Sequence, residues 1–109
     1  MTRSLLTAAA LAFATAASAS ATASEANLER GRQLAYTCTG CHGVEGYRNT
    51  YPTYRVPKIG GQNEAYLVAA LNAYKSGERQ HPTMRAQAES FSERDIADIA
   101  AYLSSLKAE

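Results

Sequence analysis

The stretch Cys38-Thr39-Gly40-Cys41-His42 says most about how this chain of 109 residues folds and what it binds. Two cysteines separated by two residues and followed directly by a histidine form the spacing that attaches haem covalently. The Cys38 and Cys41 thiols can form thioethers with the haem vinyl groups, and the His42 imidazole can ligate one axial face of the iron. The sequence therefore predicts a c-type haem site built on these three residues.

Two other chemistries use a pair of cysteines with this spacing. A zinc site of four thiolates would need a second pair, and the chain has only 2 cysteines. A thioredoxin-like dithiol would require a β-α-β pattern around the motif, and no such pattern flanks it. Covalent haem is the favoured interpretation, and a redox dithiol or a disulfide is the alternative.

The N-terminal segment has the pattern of a secretory signal peptide. One positive charge, Arg3, precedes an apolar and alanine-rich run from Leu5 to Ala17, and small residues follow it. Cleavage sites of the small-x-small type end at Ala19 and at Ala23, and we expect cleavage after Ala23. An uncleaved membrane anchor is the alternative, but the run is shorter than the ~20 residues that a membrane span needs. Residues 1–23 are therefore predicted to be a signal peptide.

The remaining residues, 24–109, fit one small domain. Of the 11 basic residues only Arg3 lies in the signal peptide, so basic side chains do not outnumber the 10 acidic ones in this domain. This balance gives no indication of nucleic acid binding. No later stretch is apolar enough to cross a bilayer, and about 86 residues make a marginal core that a covalent haem would help to complete. We expect an exported, periplasmic domain without a membrane span.

Apolar residues at helical spacing predict an all-α fold with three main helices separated by loops. The first helix is predicted from Glu25 to about Thr37. Gly31 interrupts it, which indicates either close approach of another backbone or a tolerated surface glycine. The second is predicted over 64–76, between an asparagine that suits an N-cap and a glycine that suits a stop. The third begins at Ser92 with a pattern like a capping box and continues to about Lys107.

The second axial ligand must come from another part of the chain. Met84 is the only methionine after the signal peptide, and it lies in a polar segment from Glu78 to Phe91 that we predict to be a loop. His81 is the other candidate, but Pro82 restricts its backbone, and a loop histidine is more often solvated. Met84 is the predicted distal ligand. Ligation by His81 and an open iron site are the alternatives.

Several segments between Leu28 and Leu106 match one known family. They are Gly31, Cys-Thr-Gly-Cys-His-Gly at 38–43, Pro57-Lys-Ile-Gly-Gly-Gln62, Tyr66-Leu67, Tyr74-Lys-Ser-Gly-Glu-Arg79, Met84 and the segment from Ser92 to Tyr102. Together they resemble a class I cytochrome c, of the cytochrome c4 and c553 type. The resemblance implies the class I cytochrome c fold, with His42 and Met84 as the iron ligands. It also implies that the first and last helices cross at Gly31, against Tyr102.

Two features depart from that family. Cytochrome c4 proteins carry two such domains in tandem, whereas this chain has one C-x-x-C-H motif. The segment from Tyr47 to Arg55 is rich in tyrosine and arginine and does not match the usual pattern. Its tyrosines could form hydrogen bonds to haem propionates or border an electron exit route. The favoured interpretation is that they supply bulk to a small domain that lacks tryptophan.

The predicted function is that of an electron carrier and not of an enzyme. A periplasmic monohaem cytochrome with both axial positions filled would move single electrons between donor and acceptor proteins without opening the iron to a substrate. One alternative is a haem c subunit of a periplasmic dehydrogenase or oxidase complex. A less favoured one is a haem-based binder of small ligands, which would require Met84 to be absent from the iron or displaced.

Overall fold

The computed structural model describes residues 25–48 and 55–108. In these ranges the chain forms five α-helices, one short 3₁₀ turn and no strand, which confirms the all-α prediction. The elements are α1 (Leu28–Leu34), α2 (Tyr36–His42), the turn Val44–Gly46, α3 (Glu64–Ser76), α4 (Pro82–Glu89) and α5 (Glu93–Ser105). None of these helices has the length and apolar character that crossing a membrane requires. The predicted signal peptide, residues 1–23, lies outside the described ranges.

Helix α1 crosses α5 at Gly31, where the two backbones touch. A Cβ atom placed on Gly31 would lie 2.0 Å from the Asp98 carbonyl oxygen and 2.8 Å from the Tyr102 Cβ atom. Both distances are shorter than non-bonded atoms tolerate, so only a residue without a side chain allows this approach. The crossing at Gly31 against Tyr102 is confirmed.

A buried carboxylate joins the same two helices beside the crossing. Asp98 is fully buried, and it accepts hydrogen bonds from the Asn27 backbone N–H at 2.8 Å, from Arg30 at 2.7 Å and from Arg94 at 3.1 Å. Burial alone would raise the pKa of Asp98, but these donors outweigh it and hold the pKa below its ordinary value. The carboxylate therefore stays ionised and ties the start of α1 to α5.

Helix α5 lies at the centre of the core. It packs against α1 and against α3, and α3 also packs against α4. The largest apolar side chains that are fully buried are Ile96, Ile99, Leu103 and Val44. Three of these four belong to α5, so the other helices are arranged around it.

Local caps set the ends of α3 and the start of α5. The Asn63 side chain accepts a backbone N–H at the start of α3, and Gly77 ends that helix with a φ of 85°. The prediction of this helix is confirmed. Ser92 and Asp95 form a capping box at the start of α5. That helix was predicted to continue to about Lys107, but it ends at Ser105.

The predicted bounds of the first helix were wrong. Helix α1 begins only at Leu28 and ends at Leu34, and the ψ of −2° at its C-cap, Ala35, departs from the roughly −42° of a regular α-helix. A second short helix, α2, then continues through His42 instead of ending near Thr37. The whole haem motif is therefore helical.

Helix α4 lies in the segment 78–91, where a loop was predicted. His81 supplies the N-cap, since its Nδ1 atom accepts the Met84 N–H at 3.3 Å. Pro82 is the first helical residue, a position at which an N–H is not needed. This helix was hard to predict, because histidine is not among the preferred N-cap residues. Met84 thus belongs to a helix and not to a loop.

Gly31→Ala should lower the free energy of unfolding by about 2 kcal/mol or more, because the added methyl group would force α1 away from α5. The higher helix propensity of alanine, about 1 kcal/mol, acts in the opposite direction and is too small to offset this loss. Guanidinium chloride unfolding of the holoprotein, followed by circular dichroism, measures the change. Gly60→Ala is the control, since a Cβ atom there meets nothing nearer than 3.8 Å. A Gly31→Ala variant as stable as the control would contradict the crossing.

Stability at acid pH should depend on Asp98. Because its pKa is lower in the folded chain than in the unfolded chain, its contribution is complete above about pH 4 and is lost as the pH falls through the folded value. Asp98→Asn should lower the free energy of unfolding at pH 7 by roughly 2 kcal/mol, the value of hydrogen bonds to a charged group. The same variant should show a shallower loss of stability below pH 4. Glu89→Gln, in an exposed pair with Arg85, is the control and should change stability little. An unaltered acid profile in Asp98→Asn would refute this assignment.

Candidate haem-binding site

Helix α2 brings the three residues of the motif together. Cys38 and Cys41 are three positions apart in this helix, which makes them neighbours on its surface, and His42 is its last residue. Gly43 follows at once with a left-handed φ of 66° and ends the helix. The motif therefore presents two thiols and an imidazole from one short, sharply terminated helix.

The two thiols are free, with Cys38 partly buried and Cys41 exposed. Burial raises the pKa of the Cys38 thiol. Catalytic Cys-x-x-Cys pairs instead have a lowered pKa that maintains a thiolate. The environment of Cys38 therefore argues against a redox dithiol, and both thiols are available for thioether bonds.

The His42 ring is oriented by a backbone carbonyl. Its Nδ1 atom lies 2.6 Å from the carbonyl oxygen of Pro57. Because a carbonyl oxygen can only accept, Nδ1 carries the proton and donates it to this bond. The Nε2 atom of the neutral ring then has a free lone pair, which is the arrangement found in histidines that ligate metals.

A layer of apolar side chains packs against the core while remaining only partly buried. Cys38 belongs to this layer, and the others are Leu34, Ile59, Val68, Leu71, Phe91 and Leu106. Haem is a large and mostly apolar group that could cover such side chains and add to a small core. Two adjacent free thiols, an oriented histidine and this layer together fit a covalently bound haem.

Met84 is partly buried and lies on α4, which packs against α3, whereas α2 packs against α1. Two contacts restrain the segment that carries it. At its start the His81 ring meets the Tyr74 ring edge-on, with centroids 6.5 Å apart. Beyond its end the Lys75 ammonium group donates to the Phe91 carbonyl oxygen at 2.6 Å. Since Tyr74 and Lys75 belong to α3, both ends of the segment are attached to that helix.

Sequence reasoning missed two residues of this site. Pro57 was recognised only as part of a family segment, and its contact with His42 was not foreseen. Lys75 was likewise recognised only within a family segment, Tyr74 to Arg79, and its contact with Phe91 was not foreseen. Their partners lie 15 and 16 residues away in the chain, and no local pattern indicates such contacts. In the segment 47–55, Tyr47 is exposed and residues 49–54 lie outside the described ranges. The described residues therefore test none of the roles considered for these tyrosines.

Comparison with known proteins gives a consistent result. The cytochrome c family model matches residues 28–107. Cytochrome c-554(548) of Halomonas halodenitrificans is 42% identical over 78 residues, which cover 69% of this chain and 90% of that protein. The cytochrome subunit of sulfide dehydrogenase of Chlorobaculum tepidum is 33% identical over 103 residues, which cover 94% of this chain and 90% of that protein.

Cytochrome c4 is similar in sequence and in structure. The Pseudomonas aeruginosa protein is 38% identical over 77 residues, but the match spans only 37% of its length. The crystal structure of reduced recombinant cytochrome c4 from Pseudomonas stutzeri has a TM-score of 0.63 at 29% identity, over 73% of this chain and 48% of that one. Thiosulfate dehydrogenase from Marichromatium purpuratum also has a TM-score of 0.63, at 31% identity, over 74% of this chain and 19% of that one.

These matches agree with the motif on α2, the oriented histidine and the helical fold. The chain belongs to the cytochrome c family and is a c-type cytochrome with one covalently bound haem c and its iron, in a family of electron carriers.

Proposed function

We propose that this cytochrome carries single electrons between partner proteins in the periplasm, with His42 and Met84 as the axial ligands of its iron. The observation that carries the proposal is the 2.6 Å contact between the His42 Nδ1 atom and the Pro57 carbonyl oxygen. It orients the ring and reserves its other nitrogen for the metal. Export would follow from a signal peptide over residues 1–23, removed after Ala23, and residues 24–109 would form the cytochrome domain.

The role that we propose for these residues is to hold the haem in place. Cys38 and Cys41 would attach the haem, and His42 and Met84 would ligate its iron. When bound, the haem supplies a one-electron couple, and a thioether ligand favours its ferrous form and so raises the reduction potential. With both of these ligands bound, the iron would offer no open position to a substrate. A carrier and not an enzyme is therefore the function we propose.

A second candidate function is that of a haem subunit in a dehydrogenase complex. The observation that favours it is the match to the cytochrome subunit of sulfide dehydrogenase, which covers nearly all of both chains. Purification of the native protein from periplasmic extract separates the two functions. A carrier would elute as the small cytochrome alone, and a subunit would elute with a catalytic chain that reduces it when substrate is added.

Replacing Cys38 and Cys41 together with serine should abolish covalent attachment, because no thioether can form. After denaturing gel electrophoresis, wild-type protein should retain haem staining and the double variant should lose it. Thr39→Ser is the control, since it keeps a hydroxyl between the two cysteines and should retain the stain. Haem that remained attached in the double variant would show that other residues bind it.

Met84→Ala should remove the weak far-red absorption that sulfur ligation gives to ferric haem. It should also open the ferrous iron to carbon monoxide and lower the reduction potential, since the ligand that favours ferrous iron is gone. His81→Asn is the matched control. Asparagine preserves an N-cap acceptor for α4 but removes the imidazole, so this variant should keep the band. Loss of the band in His81→Asn with retention in Met84→Ala would reverse the ligand assignment.

A further inference from the structure

Arg79 lies just beyond the end of α3, and two tyrosines fix its guanidinium group. The guanidinium carbon lies 4.9 Å from the centroid of the Tyr74 ring, a cation–π distance. The Nη1 atom donates to the Tyr66 hydroxyl group at 3.3 Å. Arg79 is exposed to solvent but already held in one position. Little side-chain entropy would therefore be lost when another molecule binds it.

The charge of Arg79 is not neutralised by an ion pair within the part of the chain that the structure describes. Other cations there do pair with carboxylates, among them Arg30, Arg32, Lys75, Arg85 and Arg94. The contacts of the Arg79 side chain are aromatic and phenolic instead. Its guanidinium group is thus a cation in a fixed position that can donate hydrogen bonds to the carboxylate of another molecule.

Two further contacts connect the Tyr74 ring to the backbone of Met84. The Tyr74 ring, beneath Arg79, meets the His81 ring edge-on, and His81 in turn accepts the Met84 N–H. Tyr66, the other partner of Arg79, is 50% exposed to solvent. A molecule that bound Arg79 and Tyr66 would therefore lie next to the helix that carries the proposed distal ligand.

We propose that Tyr66, Tyr74 and Arg79 form a docking surface for a redox partner protein that presents a carboxylate, with Arg79 as its anchor. Arginine and tyrosine are among the residues that contribute most binding energy at protein interfaces. A planar guanidinium can bind a carboxylate through two parallel hydrogen bonds, which fixes orientation as well as position. This inference deepens the proposed carrier function, and it rests on that function for the relation between the surface and the iron.

Voltammetry on gold coated with a carboxylate-terminated monolayer tests the proposal with the holoprotein. The monolayer presents the group expected on the partner, and the electrode replaces the partner's redox centre. At low ionic strength and subsaturating protein, Arg79→Gln should lower the coverage of electroactive protein by about threefold or more. Arg79→Lys should give an intermediate value, since it keeps the charge but loses the planar fork. Added salt should reduce all differences.

Arg32→Gln and Arg85→Gln are matched controls. Each replaces an exposed arginine that is already paired with a glutamate, and so removes one positive charge. Each variant should bind to the monolayer nearly as well as wild type. Equal losses in all three Gln variants would show that only net charge matters, and unchanged binding of Arg79→Gln would also overturn the proposal. Far-red spectra of the same samples test the proposed function separately. A missing band in wild type would refute Met84 ligation, while the coverage would still report on Arg79.

Discussion

The close approach of α1 and α5 at Gly31 is the contact on which the rest of the structure depends. With no side chain between them, the Asp98 backbone lies directly against α1. Helix α2 follows α1 after one residue, so the crossing also determines where the haem motif begins. The segment that contains Pro57 is attached to α5 as well, because the Gly61 N–H donates to the Leu103 carbonyl oxygen at 2.8 Å. Helix α5 thus positions both the helix that carries His42 and the segment that carries Pro57.

Charged residues have different roles in this fold, depending on whether they are buried, paired at the surface or unpaired. Asp98 is buried and satisfied by three donors, so it specifies how α1 and α5 meet. Exposed pairs such as Arg32–Glu29 contribute less, typically below about 1 kcal/mol each. Their main effect is to neutralise the surface locally. Arg79 differs from both kinds, because its exposed guanidinium group lies over the Tyr74 ring and forms no ion pair within the described residues.

The parts of the structure that could be predicted from the sequence are those that depend on residues close together in the chain. The caps of α3 and the capping box at Ser92 are local signals, and they gave correct elements. The haem motif is also local, and it indicated the cofactor but not the helix that carries it. The histidine cap of α4 is also local but uncommon, so that helix was missed. Contacts between residues far apart in the chain, such as that of His42 with Pro57, arise only when helices pack. Gly31 is an intermediate case. A glycine within a predicted helix indicated either close approach of another backbone or a tolerated surface position, and only the packing of α5 against α1 decides between them.

The two proposed iron ligands are restrained in different ways. For His42 the restraint acts on the ring itself, through a neutral carbonyl that does not titrate, at 2.6 Å. For Met84 it acts on the backbone of α4, through a longer hydrogen bond of 3.3 Å to its N–H and through attachments at the ends of the segment. An electron carrier benefits from a ligand set that stays the same in both oxidation states. Under the proposed ligation, the proximal bond is therefore held by direct contact, and the distal bond depends on how firmly α4 is kept against α3.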